Sequence, residues 1–328
     1  MWTTKIVGTG SCTPEKIITN HDLSKIVDTS DEWIRSRTGI GERRITEELT
    51  TAGLAAKAAQ RALLDADMKA EDLELILVAT SSPEHFFPSV ACEVQGIIGG
   101  KNAVAYDLSA ACSGFLFALN TAYSFLKSGC YKNALVIGAD VMSKIVDWKD
   151  RSTCVLFGDG AGAAIIRAEL EEDTEKPAGI HHFIMGSDGS GAEVLTCTAR
   201  SNGNFLLGKE SQMGYLSMNG QEVFKFAVKK VPECISQLLC EADEKKEEIS
   251  YFILHQANYR IIESVAKRLK LPLERFPMNI EHYGNTSGAS IPILLDELNR
   301  SGELSRGDKL VLSGFGAGLT WGAVLLTW

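Results

Sequence analysis

The chain has 328 residues, 45% of them apolar and 23% charged, with a formal charge of −9. That length builds one large domain or two of ordinary size, and the balance is that of a folded globular protein. The negative charge argues against nucleic acid or an anionic membrane as the main partner, and no apolar run reaches the ~18 residues of a membrane span.

In chain order, the opening MWTTKIVGTG lacks the charged-then-apolar pattern of a signal peptide, so a cytoplasmic location is expected. Short apolar runs then alternate with helical periodicity. KIVG (5–8), ELILVAT (74–80), NAVAYDL (102–108), NALVIGA (133–139) and AGAAIIRA (161–168) read as strands of an α/β fold. The charged stretch ELEEDTEKPAG (169–179) reads as a linker. After it the same punctuation returns. FIMG (183–186) echoes KIVG, ISYFILHQ (249–256) echoes ELILVAT, and Thr286-Ser287-Gly288 echoes Cys112-Ser113-Gly114. DKLVLSG (308–314) echoes NALVIGA, and GAGLTWGAVLLTW (316–328) echoes GAGAAIIRA. The offsets from Ala79 to His255, Cys112 to Thr286, Ser128 to Ser301 and Asn133 to Asp308 are 176, 174, 173 and 175. Such constancy predicts a duplicated α/β unit, residues 1–175 and 176–328, whose loops at equivalent strand ends meet.

Eight cysteines lie at 12, 92, 112, 130, 154, 197, 234 and 240, with no C-x-x-C pair and no metal spacing to histidine. Most should be small buried hydrophobes. Cys112 differs. It stands where a strand turns into a helix, among Ala110, Ala111, Ser113 and Gly114. The positive end of a helix dipole there favours thiolate over thiol, and small neighbours leave room for an acyl group. His255 at a strand end, Asn285 before a helix, and Gly316 in a glycine loop each have an ordinary structural explanation alone. Their coincidence at matching ends of a duplicated fold points to chemistry. Cys, His and Asn without a nearby Asp or Glu suit acyl transfer from a thioester followed by decarboxylation, where neutral donors hold an enolate oxygen.

These residues sit in longer motifs: DTSDEWIRSRTGIGERRI (28–45), FPSVACEVQ (87–95), AACSGF (110–115), FGDGAGAAI (157–165), GQEVFKFAV (220–228), LHQANYRII (254–262) and GNTSGASIP (284–292). In that order they resemble the bacterial β-ketoacyl-acyl-carrier-protein synthases III, initiating condensing enzymes of the thiolase-like superfamily, along essentially the whole chain. The resemblance implies two α/β halves packed as a layered αβαβα sandwich. It also implies Cys112 as acylated nucleophile, His255 and Asn285 as the decarboxylation pair, and backbone N–H groups of Cys112 and Gly316 as an oxyanion hole. Trp33 and Arg151 would hold the adenine of coenzyme A, Arg37 its phosphates, and Thr29, Gly220, Phe224, Ala257 and Asn258 the pantetheine arm. Phe87, reaching across a homodimer interface, would join Met142, Phe157 and Leu216 at the acyl pocket, and it favours a short primer such as acetyl-CoA. A branched primer, or a role in specialised metabolism, is the alternative. Lys225, Arg260, Lys267 and Arg268 would dock malonyl-acyl-carrier protein. No metal or bound cofactor is implied, coenzyme A being part of a substrate. Relatives often carry three glycines where this chain has Gly316-Ala317-Gly318.

The motifs weigh against related chemistries. A degradative thiolase needs a second cysteine in the C-terminal glycine loop, and GFGAG has none. Elongating synthases place a second histidine where Asn285 stands. Plant-type polyketide synthases lack the DTSDEWIRSRTGI segment. GTG (8–10) and VIGAD (136–140) do not form a dinucleotide fingerprint.

Overall fold

The computed structural model describes residues 2–170, 178–198 and 200–328. Its main strands are β1 (Trp2–Cys12), β2 (Leu75–Ala79), β3 (Val104–Leu108), β4 (Asn133–Asp140), β5 (Gly160–Leu170), β6 (Gly179–Ser187), β7 (Tyr251–Leu254), β8 (Lys309–Gly316) and β9 (Thr320–Thr327). The main helices are α1 (Asp31–Thr38), α2 (Thr51–Asp65), α3 (Val90–Ile98), α4 (Gly114–Lys127), α5 (Gly220–Glu241), α6 (Tyr259–Leu269) and α7 (Ser290–Ser301).

One sheet has the order β1-β5-β4-β2-β3 and the other β7-β8-β9-β6. The pairs β2–β3, β2–β4 and β7–β8 are parallel, and the remaining ladders of the two sheets are antiparallel. Strand β4 is buried at every residue, which is why its sequence is a continuous apolar run rather than an alternating one. Helices α4 and α7 lie between the sheets. Phe115, Leu116 and Leu119 of α4 and Ile291, Leu294 and Leu295 of α7 share one core with Leu77 and Val136 of the first sheet and Ile253 and Leu312 of the second. Helices α2 and α3 cover the outer face of the first sheet, and α5 and α6 that of the second. The result is the expected five alternating layers.

The internal repeat is visible strand by strand: β1, β2, β4 and β5 correspond to β6, β7, β8 and β9. Two details differ from the expectation. The linker is shorter than 169–179, because Glu169 and Leu170 continue β5 and Gly179 opens β6. The boundary at 175 falls outside the described residues. Among those residues β3 has no counterpart in the second sheet, since the equivalent stretch holds Pro277, which offers no N–H to a ladder, and then a short helix, Ile280–Tyr283.

The echo of Cys112 also shifts. Single-turn 3₁₀ segments, Ala111–Ser113 and Ser287–Ala289, precede α4 and α7, and their first residues both have positive φ, +46° and +52°. This backbone match pairs Cys112 with Gly288, not with Thr286. The second half carries no side chain where the first half carries its thiol.

Each turn packs against the other half's sheet, the Ser287–Ala289 turn on β4 and the Ala111–Ser113 turn on β8. A Cβ placed on Gly138 of β4 would overlap the Gly288 carbonyl oxygen. Gly138→Ala is therefore expected to cost about 3 kcal/mol, the upper part of the range for overpacking a core. Gly53→Ala, where the new methyl meets only ordinary contacts at 3.4 Å, is the comparison and should be near neutral. Urea midpoints of the two variants check this.

Candidate active site

Strand β3 ends at Leu108, and the chain reverses through Ala111 before α4 begins at Gly114. A positive φ at a non-glycine residue is strained, and it occurs here beside the candidate nucleophile. Cys112 is 8% exposed, and its Sγ donates to Ser287 Oγ at 3.5 Å. Burial pushes the thiol up to about 12; the Ser287 contact opposes this and the charge of Asp140 adds to it. This works against the helix-start expectation of a thiolate, because desolvation disfavours the charged form of a buried thiol.

His255 follows β7 and is 2% exposed. Its Nδ1 lies 2.6 Å from Ser290 Oγ, and Phe315 meets its ring edge-on at 5.4 Å. Burial pulls its pKa down to about 3, so the ring is neutral at pH 7. Asn285 is held from both sides. Its amide N donates to the Leu156 carbonyl at 2.8 Å, and its own carbonyl accepts from Gly158 N at 3.1 Å. The side-chain Oδ1 accepts from Ser287 N at 2.8 Å, which leaves the NH₂ group as the end free to act. Gly316 closes the group: a Cβ there would come within 2.7 Å of the Cys112 nitrogen.

The expectation of no nearby carboxylate is corrected by Asp140. It is fully buried at the end of β4, and its Oδ1 accepts from Ser81 N at 2.7 Å, Ser82 Oγ at 2.8 Å and Thr80 Oγ1 at 3.2 Å. Its Oδ2 accepts from Gly288 N at 3.2 Å. Only the pairing of β4 against the second half's turn brings it there. It stays out of the cavity lining, spent on donors behind the thiol.

Cys112, His255, Asn285 and Gly316 line one cavity of about 290 Å³. Arg37, Phe157, Gly220, Phe224, Ala257 and Asn258 line it too. Ala317 does not, so its methyl leaves the site open. Trp33 and Arg151 lie outside the lining, where the guanidiniums of Arg37 and Arg151 each sit 4.9 Å from the Trp33 ring centroid. The Thr29 hydroxyl is buried with no hydrogen-bond partner. Met142, Phe157 and Leu216 form one buried cluster with Val146, whereas Phe87 is 86% exposed and apart from it. Arg260 donates through Nε and Nη2 to the Ser36 carbonyl at 3.1 and 2.7 Å, tying α6 to the end of α1. Lys225 pairs with Glu222 at 2.8 Å. Lys267 and Arg268 are exposed on the last turn of α6.

The sequence reading missed Ser287, Ser290 and Asp140. The first two had a signal, since GNTSGAS puts hydroxyls three residues apart at a helix start, on one face. Asp140 had none beyond its place at a strand end. Because burial holds Cys112 as a thiol, its alkylation by iodoacetamide should climb with pH through about 10 without a plateau. Peptide mass mapping of the pH series checks this, and a plateau near neutral pH would show the dipole prevailing.

Comparison with known proteins agrees with this geometry. Residues 106–189 match the profile described as 3-oxoacyl-[acyl-carrier-protein (ACP)] synthase III, and residues 239–328 match that of its C-terminal part. The β-ketoacyl-[acyl-carrier-protein] synthase III of Clostridium acetobutylicum is 54% identical, over 99% of this chain and 98% of that protein. A crystal structure of the 3-oxoacyl-[acyl-carrier-protein] synthase III of Aquifex aeolicus superposes with a TM-score of 0.90 at 48% identity, covering 99% of this chain and 100% of the other. The synthase III of Thermus thermophilus gives 0.91 at 42% identity, with 99% of both chains covered. With the layered fold, the shared cavity and this identity along nearly its full length, the chain belongs to the β-ketoacyl-acyl-carrier-protein synthase III family.

Proposed function

We propose that this protein is the condensing acyltransferase that starts fatty-acid synthesis. It joins a short acyl-CoA primer, acetyl-CoA in the first instance, to malonyl-acyl-carrier protein, giving 3-oxoacyl-acyl-carrier protein, CO₂ and coenzyme A. The observation that carries this is the convergence of Cys112, His255, Asn285 and Gly316 on one cavity in a member of this family.

In the first half-reaction the Cys112 sulfur attacks the thioester carbonyl. The S–acyl bond forms, the bond to coenzyme A breaks, and the thiol proton leaves with the coenzyme A sulfur. No external base is consumed. The Cys112 and Gly316 amides are the donors for the tetrahedral oxyanion. In the second half-reaction the malonyl C–CO₂ bond breaks and its electron pair moves onto the thioester oxygen as an enolate. A neutral imidazole N–H and the Asn285 NH₂ group suit that oxygen, because each donates a hydrogen bond and neither brings a negative charge that would repel it. The enolate carbon then attacks the acyl-Cys112 carbonyl, and collapse releases the Cys112 sulfur as a thiolate, which takes a proton from solvent to restore the resting thiol. The pantetheine arm of either substrate would run past Phe224, Gly220, Ala257 and Asn258, whereas the buried, unpartnered Thr29 hydroxyl does not line that cavity. Trp33, Arg37 and Arg151 suit the adenine and phosphates of coenzyme A.

A homodimer fits the exposed edge of the first sheet. Among the described residues strand β3 pairs on one side only, Val104 is exposed on it, and Phe86, Phe87 and Ile97 are exposed large apolar residues of the same half. The acidic carrier protein is assigned to α6, where Lys267 and Arg268 have no ion-pair partner among the described residues.

His255→Ala and Asn285→Ala should lower decarboxylation and condensation about 100- to 1000-fold, and self-acylation far less. Incubation with radiolabelled acetyl-CoA, followed by peptide mapping of the label to Cys112, separates the two half-reactions. Equal loss in both, or label on another cysteine, overturns the assignment. Arg268→Glu should raise the Michaelis constant for malonyl-carrier protein about tenfold at low salt and leave that for acetyl-CoA nearly unchanged. Steady-state kinetics over a salt series, run with a panel of acyl-CoA primers, reads both docking and primer choice.

A further inference from the structure

We propose that Ser290 is the positioning residue that fixes the tautomer of His255, keeping the proton on Nε2 and Nδ1 bare. The inference rests on the reading above, in which His255 gives an N–H to the enolate oxygen. It adds the group that makes this N–H available.

A neutral imidazole carries its proton on either nitrogen, and the partner of one nitrogen decides the other. Ser290 Oγ lies 2.6 Å from Nδ1 and also accepts the Gln256 backbone N–H at 3.3 Å. Ser290 and His255 are each 2% exposed, which leaves little room for water to settle the hydroxyl proton. Consider both arrangements. If Nδ1 carried the proton, Ser290 Oγ would accept from both the imidazole and the amide, and its own hydrogen would have no acceptor among the described residues. If Ser290 donates to Nδ1, the amide and the imidazole are both satisfied and the hydrogen on Nε2 is left for the cavity. The second arrangement orphans no buried donor, and an orphaned donor is the more costly outcome.

The placement follows from the fold. Ser290 is the first residue of α7, directly after the Ser287–Ala289 turn, and His255 is the residue after β7. One short segment therefore serves three reacting groups. Asn285 is a donor itself, Ser287 accepts from Cys112, and Ser290 orients His255. Ser290 touches no substrate. It acts only through the ring.

The test reads the tautomer directly. Nitrogen-15 imidazole spectra of the full-length enzyme, with the His255 signal identified by its absence in His255→Ala, should show a protonated Nε2 and a bare Nδ1. A protonated Nδ1 in the wild type overturns the proposal whatever the variants do. In Ser290→Ala the two tautomers should mix. Decarboxylation should then fall by about 10- to 100-fold, less than when the donor is removed outright. Ser290→Thr, which keeps the hydroxyl, should restore both the spectrum and most of the rate. A folded Ser290→Ala enzyme with the wild-type spectrum and rate also overturns the proposal. If Ser290→Ala does not fold, the wild-type spectrum alone decides. Should His255→Ala decarboxylate normally, the enolate reading fails, while the tautomer assignment still stands or falls on the spectrum.

Discussion

Each half of this protein presses the end of a buried strand against the helix-start turn of the other half, and the site follows from that reciprocal contact. Strand β4 meets the Ser287–Ala289 turn through Gly138, and β8 meets the Ala111–Ser113 turn through Gly316. Both approaches are closer than a side chain permits. They bring two turns with positive φ at their first residue, Ala111 and Ser287, into the same interface as the ends of β7 and β8. Thiol, imidazole, amide and backbone donors gather there because the duplicated fold has its carboxyl ends there. The apolar faces of the two central helices are buried between the sheets, and that close packing restrains these groups.

Within that interface, burial decides protonation. The thiol is pushed up and the imidazole pulled down for the same reason, that each would carry its charge without water. A site assembled from neutral groups is unfavourable for a resting thiolate but favourable for an anion that exists only during reaction. Donors already oriented need not reorganise when that charge appears, and the low dielectric strengthens their interaction with it. Asp140 is the exception that fits. Its carboxylate lies behind the thiol rather than in the cavity, held by Ser81, Ser82, Thr80 and Gly288, and it ties the end of β4 to the turn of the second half.

Away from the centre the surface changes character. The cavity wall is largely apolar near Phe157, Phe224 and Phe315 and includes Arg37, whose guanidinium shares the Trp33 ring with Arg151 outside the lining. Arg260 is engaged with the Ser36 carbonyl, so it braces the wall between α1 and α6, whereas Lys267 and Arg268 project from the far end of the same helix. Arg260 and the Lys267–Arg268 pair thus have different surroundings on one helix, a difference that spacing along the chain does not reveal.

The sequence by itself determined the α/β class, the duplication and the four residues that meet in the cavity, because these follow from local pattern and from motifs with fixed spacing. It also singled out Cys112 among eight cysteines by its small neighbours at a strand-to-helix turn. Only the tertiary structure decided the rest. The register that pairs Cys112 with Gly288 depends on backbone dihedrals, which letters do not record. The protonation of Cys112 depends on how much water the other half removes, which a dipole argument made from one helix does not include. Asp140 is brought near the thiol by the packing of β4 on the Ser287–Ala289 turn, and Ser290 reaches His255 through the meeting of two elements 35 residues apart. Local chemistry is written in neighbours along the chain, but charge state and hydrogen-bond direction are set by neighbours in space.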